Sequence, residues 1–148
     1  MEHVYQVRVD WTSGRKGLMS SAALNDKIEV ATPPEFPGGV PGVWSPEHLL
    51  VAAVNSCLMT TFLAIAENSK LDYVSFSSKG TGKLEKTESG LMITEVLLEP
   101  LVEVKEEKDR LRAERVLQKS EASCLISNSL KSKIVLKPFV KVLNPVTE

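Results

Sequence analysis

Between Leu49 and Ala66 the chain carries no charged residue for 18 positions, and this run, inside "SPEHLLVAAVNSCLMTTFLAIAENS" (45–69), restricts the available folds more than any other feature. It reads as a helix. Ser45 is a preferred N-cap, Pro46 suits the first helical position, and Glu47 sets a negative charge at the positive end of the helix dipole. Glu67, Asn68 and Ser69 close it, with Asn68 expected to take the left-handed conformation of a helix end. Leu49, Leu50, Val51, Val54, Leu58, Met59, Phe62, Leu63 and Ile65 cover nearly every face, so apolar partners are expected all round. The run also meets the length of a membrane span. Asn55, Ser56, Thr60 and Thr61 interrupt it, no Lys or Arg flanks its start, and the surrounding chain is polar, which predicts a buried helix of a soluble protein.

The 148 residues suit one domain, 1–148, large enough to bury a core without metal or disulfide staples. A net charge of −1 gives no electrostatic basis for binding nucleic acid or an anionic membrane. "MEHVYQVRVDW" alternates apolar and polar residues and has no apolar h-region, so a strand is expected there instead of a signal peptide, and a cytoplasmic location with it.

Over 3–11, Tyr5, Val7, Val9 and Trp11 share one face and predict a half-buried strand. "TSGRKG" supplies a turn, and "LMSSAAL" and "KIEVAT" read as two further strands around Asn25-Asp26. "PPEFPGGVPG" forbids regular structure and forms a stiff loop into the helix, either a plain connector or the wall of a binding site. After the helix, "DYVSFSSKGTGKLEK" and "GLMITEVLLEPLVEVKE" form a hairpin about "TESG", with a bend, bulge or edge position expected at Pro100. "DRLRAERVLQKSEAS" suits an exposed amphipathic helix, "CLISNSLKS" a short one, and "KIVLKPFVKVL" a closing strand. The order βββ-α-ββ-αα-β is an α+β domain in which antiparallel sheet wraps the apolar helix. One sheet covers only one side of that helix, so a second copy packing its own helix alongside is expected.

Cys57 and Cys124 are the only cysteines. In a reducing compartment a pair is either transient and catalytic or two unrelated buried thiols acting as small hydrophobes. With His3 and His48 they complete the soft-ligand inventory, and no two of the four have the short spacing of a zinc site.

"SPEHLLVAAVNSCLMTTFLAIA" resembles the central-helix signature of the OsmC/Ohr proteins, the osmotically inducible protein C and organic hydroperoxide resistance proteins. "CLISNSL" resembles that family's second cysteine site, and "SGRKG" the glycine-flanked arginine of the Ohr branch. The resemblance implies antiparallel sheets wrapped around a long buried central helix, an intertwined homodimer with sites at the subunit interface, and thiol-dependent peroxidase activity without a cofactor. By position it makes Cys57 the peroxidatic thiol, Cys124 the resolving thiol, and Arg15 and Glu47 their polar partners. An organic hydroperoxide is then the substrate and a dithiol or protein the reductant. The proline-rich "TPPEFPGGVPGVW" departs from the Ohr branch, so the preferred hydroperoxide stays open.

Chemistry asks for the same residue types. The thiolate is the nucleophile, and burial among apolar groups raises a thiol pKa, so a cation is expected beside Cys57. Arg15 can supply it, held by a bidentate pair with Glu47. A neighbouring thiol then condenses a sulfenic acid on Cys57 to a disulfide. A short helix at "CLISNSL" would favour a thiolate at Cys124, and Ser120 or Ser123 could equally be plain caps. Glu47 and Cys57 lie ten residues apart, ~15 Å along a continuous helix, so either the helix breaks or the glutamate beside Cys57 comes from the other chain. With no Gly or Pro between them, the second alternative is expected. Trp44, Phe36, Met59 and Phe62 are candidates to line an apolar pocket, although packing is the commoner use of Met59 and Phe62. His48 is not needed as a base. The alternative function is a non-catalytic small-molecule or thiol-binding protein on the same scaffold; a weaker one is a dimeric interaction module with inert thiols.

Overall fold

A tight turn at Gly14-Arg15 joins β1 (Arg8–Ser13) to β2 (Lys16–Ser20), and β2 pairs antiparallel with β3 (Ile28–Ala31) in a three-stranded sheet. The computed structural model describes residues 1–145. The chain forms two compact units, Met1–Leu50 and Val51–Glu148. In the first, the proline-rich loop returns to the sheet through the Ala31 N–H, which donates to Trp44 O at 2.8 Å. β1 starts five residues later than the alternation predicts and is exposed throughout, with Val9 and Trp11 at 63% and 77% exposure and Tyr5, ahead of it, at 88%. The half-buried strand expected at 3–11 is therefore corrected, because within its unit no described residue covers its apolar face.

α1 (Pro46–Asn68) is one unbroken helix. Ser45 caps it as expected, its Oγ accepting from the His48 N–H at 3.1 Å and its carbonyl from the Leu49 N–H at 2.9 Å. At the other end the left-handed residue is Lys70 (φ 54°) and not Asn68. Leu71 N–H donates to Ala66 O and Lys70 N–H to Glu67 O, closing the last carbonyls while Leu71 turns back into the core.

In the second unit, β4 (Ser75–Thr87) and β5 (Gly90–Glu106) form a long hairpin about Glu88-Ser89. After α2 (Arg110–Ala122) and α3 (Leu125–Asn128), β6 (Lys133–Leu136) and β7 (Phe139–Asn144) pair with the same edge of β5. Both run parallel to β5, so the sheet is mixed, and the single closing strand expected from "KIVLKPFVKVL" is split at Lys137-Pro138. β5 passes through Pro100 without a bulge. The parallel pairing skips from Leu98 to Leu101, where the missing proline N–H costs nothing, and the register shift falls instead at Lys83/Leu84.

The core of this unit joins α1, β5, α2 and β7 through Phe62, Ala66, Val102, Val104, Ala113, Val116, Leu117 and Val140. Ala113, Val116, Leu117 and Ser120 give α2 its buried stripe at helical spacing, and Leu111 points outward. Phe62 is fully buried, with ring centroids 4.8 Å from Phe76 and 5.2 Å from Tyr73, and its burial contributes about 2–3 kcal/mol. α1 lies close on β4 because Gly80 and Gly82 leave room: a Cβ on Gly82 would fall 2.5 Å from Val51 Cγ2. Asn55 locks the contact, donating to Ser78 O at 2.8 Å and accepting from Ser78 Oγ at 2.6 Å.

α1 is not buried on all sides. Val54, Cys57, Leu58, Phe62 and Ala66 face inward, whereas Ser56, Met59, Thr60, Leu63, Ala64 and Glu67 form one open stripe. The expectation of apolar cover all round is not met within this unit, whose one sheet takes one side of the helix.

Candidate active site

Cys57 lies at the border between the buried and open faces of α1, 8% exposed, and Cys124, fully buried, immediately precedes α3. Residues 67 positions apart in sequence are thereby brought close enough, as free thiols, for each to shift the other's pKa. The turn at α3 is what aims this second sulfur. Cys124 holds the extended backbone (φ −68°, ψ 110°) of a residue entering a helix, and its carbonyl accepts from the Asn128 N–H at 3.0 Å.

Burial pushes the Cys57 thiol up, as it does any thiol removed from water. Hydrogen bonds to the thiolate outweigh it. The Cys124 S–H, the Ile126 N–H, the Thr61 hydroxyl and the Leu125 N–H together hold the Cys57 pKa below the ordinary cysteine value. Thr61 sits one helical turn on from Cys57, with Oγ1 3.8 Å from Sγ. Cys124 moves the opposite way. Burial raises its pKa, the bond it gives to Cys57 raises it further, and the Ser127 hydroxyl and N–H oppose this only in part. Within the pair Cys57 is therefore the thiol that ionises first and Cys124 the one that keeps its proton to higher pH.

One expectation changes. The backbone donors of α3 serve Cys57 and not, as anticipated, Cys124 alone. Within this unit neutral donors lower the Cys57 pKa, and the cation expected beside it belongs to the first unit. Thr61, four residues after Cys57, and Ser127, three after Cys124, were not singled out from sequence; helical spacing from each cysteine is the signal that finds them.

Arg15 and Glu47 belong to the first unit. Arg15 is exposed in the β1–β2 turn, its side chain lying across Gly38 so closely that a Cβ there would fall 3.1 Å from Nε. It borders an open, mostly apolar groove of about 530 Å³ lined by Val9, Trp11, Val30, Thr32 and Pro46 among others. Glu47 Oε1 is buried and has no hydrogen-bond partner among the described residues. Within one chain no ion pair joins Arg15 and Glu47 among the described residues, where the ion pairs are Arg8–Asp10, Lys83–Glu85 and Arg110–Glu107. The unbroken α1 also removes the alternative in which a break carries Glu47 to Cys57. Of the anticipated pocket residues, Phe62 is core, Met59 is on the open stripe, and Trp44 is half exposed beside His48. The His48 ring is engaged by Ser45 Oγ at 2.7 Å. No group of three or more His, Cys, Asp or Glu with metal-binding geometry occurs among the described residues.

A family model described as OsmC-like protein matches residues 39–138, a span that includes Glu47, Cys57 and Cys124 and leaves Arg15 outside. The protein YmaD of Bacillus subtilis (strain 168) is 22% identical over 139 residues, 92% of each chain. An OsmC-like protein of unknown function from Vibrio cholerae has a TM-score of 0.82 at 23% identity, covering 93% of this chain and 99% of that one. An organic hydroperoxide resistance protein OsmC from Legionella pneumophila has a TM-score of 0.74 at 24% identity, covering 95% and 100%. At these identities the structural likeness shows a shared fold.

Proposed function

The chain belongs to the OsmC-like protein family, and from that premise and its paired thiols we propose that it is a thiol-dependent peroxidase that reduces organic hydroperoxides. The observation that carries this is a pair of neighbouring buried cysteines whose pKa values are pushed apart, Cys57 down and Cys124 up. That is the arrangement a dithiol peroxidase needs. Cys57 attacks the O–O bond and releases an alcohol, Cys124 condenses the sulfenic acid to a disulfide with loss of water, and an external dithiol or protein reductant restores both thiols. The peroxide supplies the oxidising equivalents, so no cofactor is required. The likeness to the organic hydroperoxide resistance protein of Legionella pneumophila supports the substrate class.

The working unit is a homodimer in the cytoplasm. The open stripe on α1 and the exposed apolar face of β1 are the surfaces a second copy would cover. A buried, unpartnered Glu47 oxygen and an exposed Arg15 in the same chain support a polar cluster completed only between copies, where the guanidinium positions the peroxide. Consumption of cumene hydroperoxide with a small dithiol as reductant tests the activity: turnover that vanishes in Cys57→Ser is expected. Background consumption, with ligand-induced thermal stabilisation that persists in Cys57→Ser, would refute turnover and favour a binding protein.

A further inference from the structure

Ser127 is 6% exposed, and its Oγ has no hydrogen-bond partner among the described residues while Cys124 is a thiol. A buried hydroxyl without a partner costs stability, so its retention calls for a second state in which it is paired. Ser127 is the third residue after Cys124, at the position of the turn from which a side chain reaches back to the residue that caps it, and its hydroxyl and N–H lower the Cys124 pKa.

We propose that Ser127 is a catalytic donor of the resolving step, its hydroxyl holding Cys124 as a thiolate while the disulfide with oxidised Cys57 closes. This rests on the dithiol peroxidase described above. In the resting pair Cys124 is the thiol that keeps its proton to higher pH, because burial raises its pKa and the neighbouring Cys57 raises it further. Attack on the hydroperoxide forms the S–O bond and breaks the O–O bond; the alkoxide takes a proton from solvent and leaves as the alcohol. Cys57, now a neutral sulfenic acid, no longer repels charge on its neighbour. Cys124 then loses its proton, and its sulfur attacks Cys57 Sγ. The S–S bond forms, the S–O bond breaks, and the departing hydroxide leaves as water with the proton that Cys124 gave up. Cys124 is oxidised and the sulfenic sulfur reduced by the same electron count. During this step the negative charge sits on Cys124, where the orphaned hydroxyl finds its acceptor.

The test is the ultraviolet titration of the single Cys124 thiolate in Cys57→Ser and in Cys57→Ser/Ser127→Ala. Loss of a hydrogen bond to a charged acceptor lowers the thiolate fraction below the midpoint by about tenfold. Cys57→Ser/Ser127→Thr, which keeps the hydroxyl, is expected to restore it. The stability of the reduced protein is expected not to fall in Ser127→Ala, since the hydroxyl has no partner to lose. Superimposable titrations, or a stability loss without a titration change, would overturn the proposal. The titration uses no hydroperoxide, so failure here and failure of the peroxidase activity are separate results.

Discussion

Replacing Thr61 by Val tests whether neutral donors, and not a cation, set the reactivity of Cys57. The two side chains are nearly isosteric, so the change removes one hydroxyl 3.8 Å from Sγ with little effect on packing. A hydrogen bond to a charged acceptor contributes about 1.5 kcal/mol, and the long O–S separation sets the lower end of the range as the expectation. Below the titration midpoint the thiolate fraction then falls by about tenfold. The assay is the rate of iodoacetamide alkylation at Cys57, followed by peptide mass across pH. The variant is expected to react more slowly at mildly acidic pH and to converge on the wild-type rate at alkaline pH, where both are ionised. A uniform slowing at every pH would mean that access had changed, and unchanged rates throughout would refute the role of Thr61.

The two cysteine shifts bend the pH dependence of stability in opposite directions. Cys57 is depressed in the folded state, so its contribution is complete above the ordinary cysteine range and is lost as pH falls through the folded value; Cys124 is raised, so its contribution is complete below that range and is lost as pH rises. Urea denaturation of the reduced protein against Cys57→Ser should show the first component abolished and the second lessened. Asn55→Ala removes both bonds to Ser78 and is expected to destabilise the fold by about 2 kcal/mol, read from the urea midpoint. Leu63→Lys places a charge on the open stripe of α1 and is expected to give a folded monomer by sedimentation where the wild type is expected to run as a dimer; a variant that remains dimeric would move the interface elsewhere.

The fold was legible where local chemistry decides it. Ser45-Pro46-Glu47 marked the start of α1 to the residue, and the alternation about "TESG" and the turn at Gly14-Arg15 located both hairpins. Tertiary context decided the rest. Tyr5, Val7, Val9 and Trp11 alternate like a half-buried strand, yet they are exposed among the described residues. Likewise the all-round apolarity of α1 predicts burial without saying by what. Lys70 takes the left-handed position because Leu71 must turn back into the core, a demand invisible in the local sequence. At the site, the residue types of the thiol pair were readable, but the source of its electrostatics was not. The donors of Leu125 and Ile126 are backbone groups, which carry no sequence signature, and they act on Cys57 only because the chain returns α3 to α1.

The central claim is that a hydroperoxide drives Cys57 and Cys124 into one disulfide. The most direct measurement is intact mass, free-thiol count and peptide mapping of the reduced protein after one equivalent of cumene hydroperoxide, beside the same experiment with hydrogen peroxide. The account predicts rapid loss of both thiols, faster with the organic hydroperoxide, and a single intrachain bridge between Cys57 and Cys124. Survival of both thiols, or bridges only between chains, would contradict it.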